Sequence, residues 1–276
     1  MKQNRTKFRL NHLVTYLIIA AALAVYLVPL GYAVITSLKT PSEFLKNPIG
    51  FNFTPTIVNY SNAWKKANFQ NYIFNSLIYM FFCTGITLLC SLLISFPIAR
   101  KYVKHSNWLY LLMMCGMFLP DGTIPLFQMI LKMNLYNTRT AYIISMLQIG
   151  GVCVMFFTSY LKSIPIELDE ASSIDGAGYF TYFFRVIVPL SKPAIASMAI
   201  LTAINVWNDI VKAIIFISDD KLFPITKGLF VFSGQYSVSW TELMAAMVMV
   251  SLPLIILYIC LQKQVIGGLT AGSVKS

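Results

Sequence analysis

"YIFNSLIYMFFCTGITLLCSLLISFPIA", residues 72–99, contains no charged side chain. About 20 apolar residues in a helix cross a hydrocarbon core about 30 Å thick, so this segment is long enough to span a membrane. Five further segments are similar, although two of them are interrupted by polar residues. We predict an all-α polytopic membrane protein with one transmembrane domain over residues 1–276 and six transmembrane helices, at about 14–37, 72–99, 106–131, 140–161, 194–217 and 243–262.

The composition agrees with a membrane protein. Hydrophobic residues make up 57% of the chain and charged residues 11%, and the mean hydropathy is +0.69. Soluble domains have about 25% charged residues. The third segment is expected to break near Pro120, and the fifth contains Asp209 and Lys212. The first segment is too long for a signal peptide and lacks a small-residue cleavage site, so we expect it to remain as an anchor.

Lysine and arginine residues indicate the orientation of the chain. With a cytoplasmic N-terminus, twelve of them lie inside and eight outside, and the dense cluster at residues 100–104 falls inside. Cytoplasmic loops carry an excess of these residues, which favours cytoplasmic N- and C-termini. The net charge of +11 therefore reflects topology and contact with membrane lipid, and we expect no nucleic-acid partner.

Motifs for catalysis or metal binding are missing from the sequence. All five cysteines lie in apolar segments, and the two histidines, His12 and His105, lie at predicted membrane edges. There is no phosphate-binding glycine loop, no HExxH and no GxSxG pattern. We therefore predict no catalytic residue and no metal site, and an intramembrane enzyme is the weakest of the alternatives.

Acidic residues concentrate in "ELDEASSIDGAG", residues 167–178, which holds four of the ten acids in the chain. A charge at the centre of a membrane costs about 2.5–3.5 kcal/mol, so this segment must lie in water. It falls in the cytoplasmic loop 162–192, between the fourth and fifth spans. We expect an elbow of two short helices, with Asp175 capping the second helix and Pro189 ending it. The elbow either docks on a partner protein or lies on the membrane surface.

The stretch "EASSIDGAGYFTYFFRVIVPLSKPA" resembles the EAA loop of bacterial ABC importer permeases. The pattern differs only by a serine, Ser172, where alanine is usual. In that family the loop is a coupling helix that sits in a cleft of a separate ATPase subunit. The resemblance thus assigns a coupling role to Glu167, Asp169, Glu170, Ala171, Ser172, Asp175, Gly176, Ala177, Phe180 and Pro189.

Four other stretches narrow the resemblance to one branch of the family. "SLKTPSEF" (37–44), "NS" (75–76), "WND" (207–209) and "GGLTAGSVK" (267–275) are similar to MalG-like second permeases of carbohydrate importers, which have the MetI-like transmembrane fold. The resemblance implies half of the translocation pathway of an ATP-driven sugar importer in the bacterial cell membrane. The implied partners are a second permease subunit in a heterodimer, two ATPase subunits that hold ATP and Mg, and an extracytoplasmic sugar-binding protein. No cofactor is expected on this chain.

The same resemblance suggests three further sets of functional residues, each with a simpler alternative. The translocation path is assigned to Asn75, Trp207, Asn208 and Asp209, although Asp209 and Lys212 are close enough on one helix to neutralise each other. Contact with the binding protein is assigned to Gly234, Gln235 and Tyr236, whose loop is equally suited to packing at the membrane interface. A position between the ATPases is assigned to Gly268, Leu269, Thr270, Gly272 and Ser273, whereas the glycines of this tail also favour a disordered end.

Two other functions remain as alternatives. One is an ABC permease for another solute, such as glycerol phosphate or an oligopeptide. The other is a self-contained secondary transporter, which requires ionisable residues near the middle of the membrane to bind a coupling ion. No ionisable residue lies clearly at the centre of a predicted span.

Overall fold

The computed structural model describes residues 2–232 and 239–273, with side chains for 14–232 and 239–263. Regular structure within these ranges is entirely helical, as predicted. The α-helices are α1 (Lys2–Ser37), α2 (Pro41–Lys46), α3 (Val58–Lys66), α4 (Phe69–Ala99), α5 (Ser106–Cys115), α6 (Thr123–Lys132), α7 (Arg139–Met146), α8 (Gly151–Ser163), α9 (Glu167–Ile174), α10 (Tyr179–Tyr182), α11 (Val188–Leu190), α12 (Lys192–Asn208), α13 (Val211–Phe216), α14 (Thr226–Phe230) and α15 (Trp240–Ser273). Short 3₁₀ turns occupy Gly116–Phe118 and Asp220–Leu222, and a π-helical turn occupies Phe183–Ile187.

Three helices in the described part of the chain are long and apolar enough to cross a membrane on their own. They are Val14–Ser37 in α1, Phe69–Ala99 in α4 and Trp240–Lys263 in α15. The apolar side chains of α1 between Val14 and Leu30 are exposed, which is stable only when lipid or another protein covers them.

Three further helix pairs are apolar enough to span but are sharply bent. The bends are 98° between Ser106–Phe118 and Thr123–Lys132, 57° between Arg139–Met146 and Gly151–Ser163, and 75° between Tyr179–Leu190 and Lys192–Asn208. Counting each pair as one span gives up to six. The six-span arrangement itself stays a prediction.

The first bend lies where Pro120 predicted it, but the second, at residues 147–150, was not anticipated. Gly150 has φ 117° and ψ −160°, a conformation open essentially to glycine alone. Gly151 follows with φ 50°. Two adjacent glycines with positive φ therefore separate α7 from α8. Hydropathy alone predicted one continuous helix across this segment.

The last two predicted spans also differ from simple helices. The fifth segment is divided at Asp209 and Ile210, which separate α12 from α13. The final helix, α15, continues through the glycines of the tail to Ser273, whereas those glycines were expected to disfavour helix. Because a glycine in a helix interior costs only about 1 kcal/mol relative to alanine, a long helix can extend through several of them.

Contacts within the chain separate two compact units. The first comprises the described residues of Met1–Phe69 and Gly228–Leu252, and the second those of Gln70–Lys227 and Pro253–Ser276. In the first unit, the buried Asn59 amide donates at 2.7 Å to the carbonyls of Ser37 and Lys39, which fixes the chain after α1. In the same unit, Lys66 Nζ lies 2.7 Å from the buried carboxylate of Glu242 at the start of α15.

The core of the second unit brings the middle of the chain together. Side chains from α4, α8, α10, the π-helical turn and α12 pack in one buried cluster, which includes Phe96, Phe157, Phe183, Ile187 and Met198. The predicted coupling segment therefore packs directly against two of the apolar helices, α4 and α12.

Candidate functional site

The four acids of the coupling segment have different surroundings. Glu167, Glu170 and Asp175 are exposed, whereas Asp169 is buried. Three of the acids, Glu167, Asp169 and Glu170, lie in the first turn of α9, where the partial positive charge of the helix dipole favours a carboxylate. Because one of them points inward, the acidic cluster is not one uniform surface.

Asp169 faces Arg100, which directly follows α4. Arg100 Nε lies 2.9 Å from Asp169 Oδ2, and the two side chains are only 4% and 10% exposed. The contact is an ion pair without an aligned hydrogen bond, since Nε–H makes none. Another nitrogen of the guanidinium, Nη1, donates at 2.9 Å to the carbonyl of Ile164. One arginine therefore ties both the start of the coupling segment and its first helix to the end of α4.

Two tyrosines complete the surroundings of Asp169. Tyr102 Oη donates to Oδ2 at 2.9 Å, and Tyr182 Oη donates to Oδ1. Burial, together with the hydrogen bond to Asp169, raises the pKa of both hydroxyls to about 12. Both tyrosines are therefore protonated donors at neutral pH. We call Arg100, Tyr102, Asp169 and Tyr182 the clamp.

An aromatic cluster lies beside the clamp. The Phe96 ring in α4 has its centroid 5.3 Å from that of Tyr179, 5.5 Å from Tyr102, 5.6 Å from Phe183 and 5.9 Å from Tyr182. Such pairs contribute about 0.5–1.5 kcal/mol each beyond their buried area. The clamp joins α9 to the end of α4 by charge, and this cluster joins α10 to the same end by apolar contact.

The turn between the two helices of the elbow depends on Gly176, which has φ 71°. Its N–H donates to Ser173 O at 3.1 Å, and the N–H of Ala177 donates to Ser172 O at 3.0 Å, so both close the end of α9. Asp175 is the C-terminal cap of α9, and the N-cap of α10 is Gly178. The prediction that Asp175 caps the second helix was therefore wrong, because that helix begins three residues later than expected.

The prediction that Pro189 ends the second helix was also wrong. The chain passes from α10 through the π-helical turn into α11, and Pro189 lies inside α11. Proline is accepted in the first turn of a helix because its missing N–H has no partner to lose there. The bend comes instead at Ser191, before α12.

Large apolar side chains on the elbow are left uncovered. Ile174 is 86% exposed and Phe180 66% exposed, one on each side of the glycine turn. Phe184 is exposed farther along the elbow. Ala171 and Pro189 are exposed as well, whereas Ser172 and Ala177 are half-buried. The elbow is thus bound to α4 through the clamp and the aromatic cluster. Its exposed tip, formed by Ile174 and Phe180, is apolar and is not covered by other residues of the second unit.

Asn75, a candidate for the translocation path, is almost fully buried. Its amide nitrogen donates to the carbonyls of Lys221 and Phe223 at 2.7 and 3.1 Å, and its oxygen accepts from Arg139 Nη2 at 2.9 Å. Ser76 accepts from the Ile225 N–H at 2.7 Å. These bonds hold the chain after α13 against the start of α4. The assignment of Asn75 to the path stays a prediction.

The other three path candidates lie together at the end of α12. Trp207 is buried, Asn208 is exposed, and Asp209 is half-buried. Asp209 Oδ2 accepts a hydrogen bond from Tyr142 Oη at 3.0 Å and another from the N–H of Ala213 at 3.1 Å. This carboxylate therefore stabilises the first turn of α13, just after the break in the helix. Lys212 pairs with Asp121 at 3.4 Å, which replaces the expected neutralisation by Asp209.

Two assignments concern regions that are described partly or not at all. Gly234, Gln235 and Tyr236 lie outside the described residues. The tail residues Gly268, Leu269, Thr270, Gly272 and Ser273 belong to the helical backbone of α15. Within the described residues, no group of three or more histidine, cysteine, aspartate or glutamate side chains is placed to hold a metal ion.

Sequence reasoning did not identify Arg100, Tyr102 or Tyr182 as part of the site. One signal was available for Arg100, since it belongs to the basic cluster at the cytoplasmic end of the second predicted span, opposite an acidic loop. The tyrosines gave no such signal, because the elbow is rich in aromatic residues throughout.

Comparison with known proteins places these features in a family. Residues 71–269 match the family described as "Binding-protein-dependent transport system inner membrane component". The chain belongs to this family. Its membership confirms the family predicted from the EAA-like loop, because the match covers most of the chain, including the whole elbow. The chain is therefore a membrane-embedded permease component.

Relatives of similar length align with most or all of the chain. The chain is 32% identical to the sulfoquinovosyl glycerol transport system permease protein SmoH of Agrobacterium fabrum, over 90% of this chain and 89% of that one. It is 30% identical to the melibiose/raffinose/stachyose import permease protein MelC of Bacillus subtilis over the full length of both. A bacterial ABC transporter involved in the import of the acidic polysaccharide alginate has a chain of the same fold, with a TM-score of 0.81 at 20% identity over 92% of this chain and 96% of that one.

Proposed function

We propose that this chain is one permease subunit of an ATP-driven sugar importer and forms half of its translocation pathway. A second, different permease subunit forms the other half. Two ATPase subunits bind ATP and Mg, and an extracytoplasmic protein delivers the sugar. Family membership and the names of the full-length relatives support this proposal. The chain itself carries no catalytic role in it.

The observation that carries the coupling role is the exposed tip of the elbow. Ile174 and Phe180 leave a large apolar area in water if the elbow is free in the cytoplasm. Each such side chain gains about 1.5–3 kcal/mol when it is fully buried. A cleft in the partner ATPase provides that burial, and the exposed Glu167, Glu170 and Asp175 at the rim suit a polar or basic border around the cleft.

The clamp explains how movement of a docked ATPase reaches the membrane. A loop that is free to pivot absorbs displacement within itself. Here the Arg100–Asp169 ion pair and the Phe96 cluster fix the elbow to α4, and the elbow continues directly into α12. When the ATPases close, α4 and α12 therefore move with the elbow, and access to the pathway switches from one side of the membrane to the other.

The proposal places the chain in the bacterial cytoplasmic membrane with both termini in the cytoplasm, so that the elbow and the end of α15 meet the ATPases on the same side. The tail then lies between the two ATPases. Its backbone is helical to Ser273, and a narrow helix end fits into the interface between two ATPase subunits. Deletion of Thr270–Ser276 is expected to preserve assembly and to reduce ATP hydrolysis stimulated by loaded binding protein. Equal stimulation in the truncated complex would exclude this role of the tail.

A purification of the tagged chain in mild detergent tests the assembly. We expect one different permease and one type of ATPase subunit to co-purify, with two ATPase copies per complex, as measured by native mass spectrometry. A chain that purifies without any ATPase, yet transports sugar after reconstitution alone, would contradict the proposal.

A further inference from the structure

A cavity of about 500 Å³ lies within the second unit, where two broken helices meet. One wall comes from the end of α5 and the chain just beyond it, and the other from residues 147–153 at the break between α7 and α8. Sites for small molecules typically have volumes of about 300–1,000 Å³ and occur where elements leave a cleft between them. Neither the coupling elbow nor the residues predicted for the translocation path line this cavity.

An ion pair lies at the cavity wall. Lys212 Nζ is 3.4 Å from Asp121 Oδ2 and donates at 2.9 Å to the carbonyl of Ser145. Lys212 is largely buried, whereas Asp121 is well exposed and has free acceptor capacity toward the cavity. Charged groups in a membrane protein are costly and usually face a bundle interior or a water-filled cavity, where they mark the pathway of a solute. This pair is electrically neutral as a unit.

Gln148 adds an amide to the lining of the cavity. Its backbone N–H is held by Thr87 Oγ1 at 3.4 Å, so the position of the residue is fixed by α4. Its exposed side chain makes no hydrogen bond with the residues that the structure describes. The break at Gly150 places this side chain on an irregular segment, and irregular backbone at membrane depth is tolerated where it lines a cavity. Gln148 thus offers one donor group and one acceptor to a ligand.

The rest of the cavity lining is largely apolar. It includes Leu112, Met113, Met117, Leu119 and Val152. Methionine side chains adapt to irregular shapes, so such a lining accepts ligands of differing outline. Hydrogen-bond donors and acceptors together with flexible apolar side chains match a sugar ring, which has hydroxyl groups at its edge and C–H groups on its faces.

We propose that this cavity holds one end of a neutral saccharide during transport, with Gln148 and Asp121 bonded to its hydroxyl groups and the methionines against its ring. The assignment to a neutral sugar follows from the ion pair, because Asp121 already neutralises Lys212 and leaves no net positive charge to attract an anion. The proposal rests on the proposed function and names the substrate contact that this subunit supplies.

The test uses the complete importer in proteoliposomes with its binding protein. A first measurement compares ATP hydrolysis with raffinose, stachyose and arabinotriose, which are neutral, and with sulfoquinovosyl glycerol and digalacturonate, which are anionic. The sugar that stimulates hydrolysis most is then used in radiolabelled form. Two quantities are measured: sugar retained by the complex after trapping with ATP and vanadate, and sugar transported per ATP hydrolysed. The variants are Gln148→Ala and Asp121→Asn, with Gln128→Ala as the matched control, since Gln128 is an exposed glutamine outside the cavity.

We expect Gln148→Ala and Asp121→Asn to lower both quantities about three- to tenfold, because the first removes a hydrogen-bonding partner of the sugar and the second replaces a charged acceptor with a weaker, neutral one. Both quantities should be unchanged in the Gln128→Ala complex, because Gln128 does not line the cavity. Full retention and transport in both cavity variants would overturn this site while leaving the proposed function intact. Loss of the second permease from the Gln148→Ala complex would identify the cavity as a packing surface instead. Preference for an anionic sugar would overturn the neutral assignment, and failure of every sugar to stimulate hydrolysis would overturn the proposed function itself.

Discussion

Asp169 shows how much the role of a charged residue depends on where its side chain points. It lies two residues from Glu167 and next to Glu170, yet it alone of the four acids in the segment is buried against Arg100 and two tyrosines. Losing one partner of a buried ion pair costs about 3–5 kcal/mol, since the remaining charge has no compensation. A carboxylate at the surface contributes about 1 kcal/mol or less.

The substitution Asp169→Asn should therefore destabilise the chain by about 3 kcal/mol, whereas Glu170→Gln should change its stability by less than 1 kcal/mol. The measurement is thermal unfolding of the purified complex, combined with limited proteolysis of the loop 162–192. The expected result is earlier cleavage in the first variant only. Equal melting temperatures and cleavage rates for the two variants would show that the clamp does not hold the elbow.

Two glycines in the elbow, Gly176 and Gly178, lie two residues apart but have different backbone conformations. Substitutions at these two positions can therefore distinguish the effect of conformation from the effect of position in the chain. Gly176 has φ 71°, and its N–H is bonded to Ser173 O, so proline is excluded there on both grounds. Gly178, two residues later, has φ −66° and ψ 161°, which proline readily adopts, and an added Cβ meets nothing within 4 Å.

We predict that Gly176→Pro leaves the protein in the membrane but abolishes both retention of the ATPase and sugar uptake. Gly178→Pro, with the same change only two residues away, should retain most of both. Co-purification of the ATPase and uptake in cells, each normalised to the amount of protein in the membrane, provide the measurement. Normal uptake by Gly176→Pro would rule out the elbow as the docking element.

Sequence reasoning predicted the elements well where one property dominates. The apolar segments gave the long helices, and the glycines at 176 and 178 gave the elbow. It failed where two local effects compete. At residues 147–150, the hydropathy is uniform and gives no sign of the break at the glycines. At Pro189, the first turn of a helix contains a residue that usually ends helices. The clamp was missed because it joins residues 69 positions apart in the chain, and no local pattern reports such a contact.

The proposed function requires the complete chain to have six spans with both termini in the cytoplasm. A cysteine placed at Ser276 should react with a membrane-impermeant maleimide only after the membrane is permeabilised. A cysteine at Ser61 in α3, which is exposed, should react in intact cells. The native cysteines are replaced in both variants. Labelling at Ser276 from outside would mean that one of the three bent helix pairs is not a span.

In the proposed function, the chain moves sugar only when an ATPase docked on its elbow closes. The most direct test is sugar-stimulated ATP hydrolysis by the complete importer in proteoliposomes, with the wild-type chain and with the Gly176→Pro and Gly178→Pro variants. We expect loaded binding protein to stimulate hydrolysis and uptake together in the wild-type and Gly178→Pro complexes, and to stimulate neither when Gly176→Pro is present. Sugar uptake that persists without ATP, driven by an ion gradient across vesicles containing this chain alone, would contradict the proposed coupling to an ATPase.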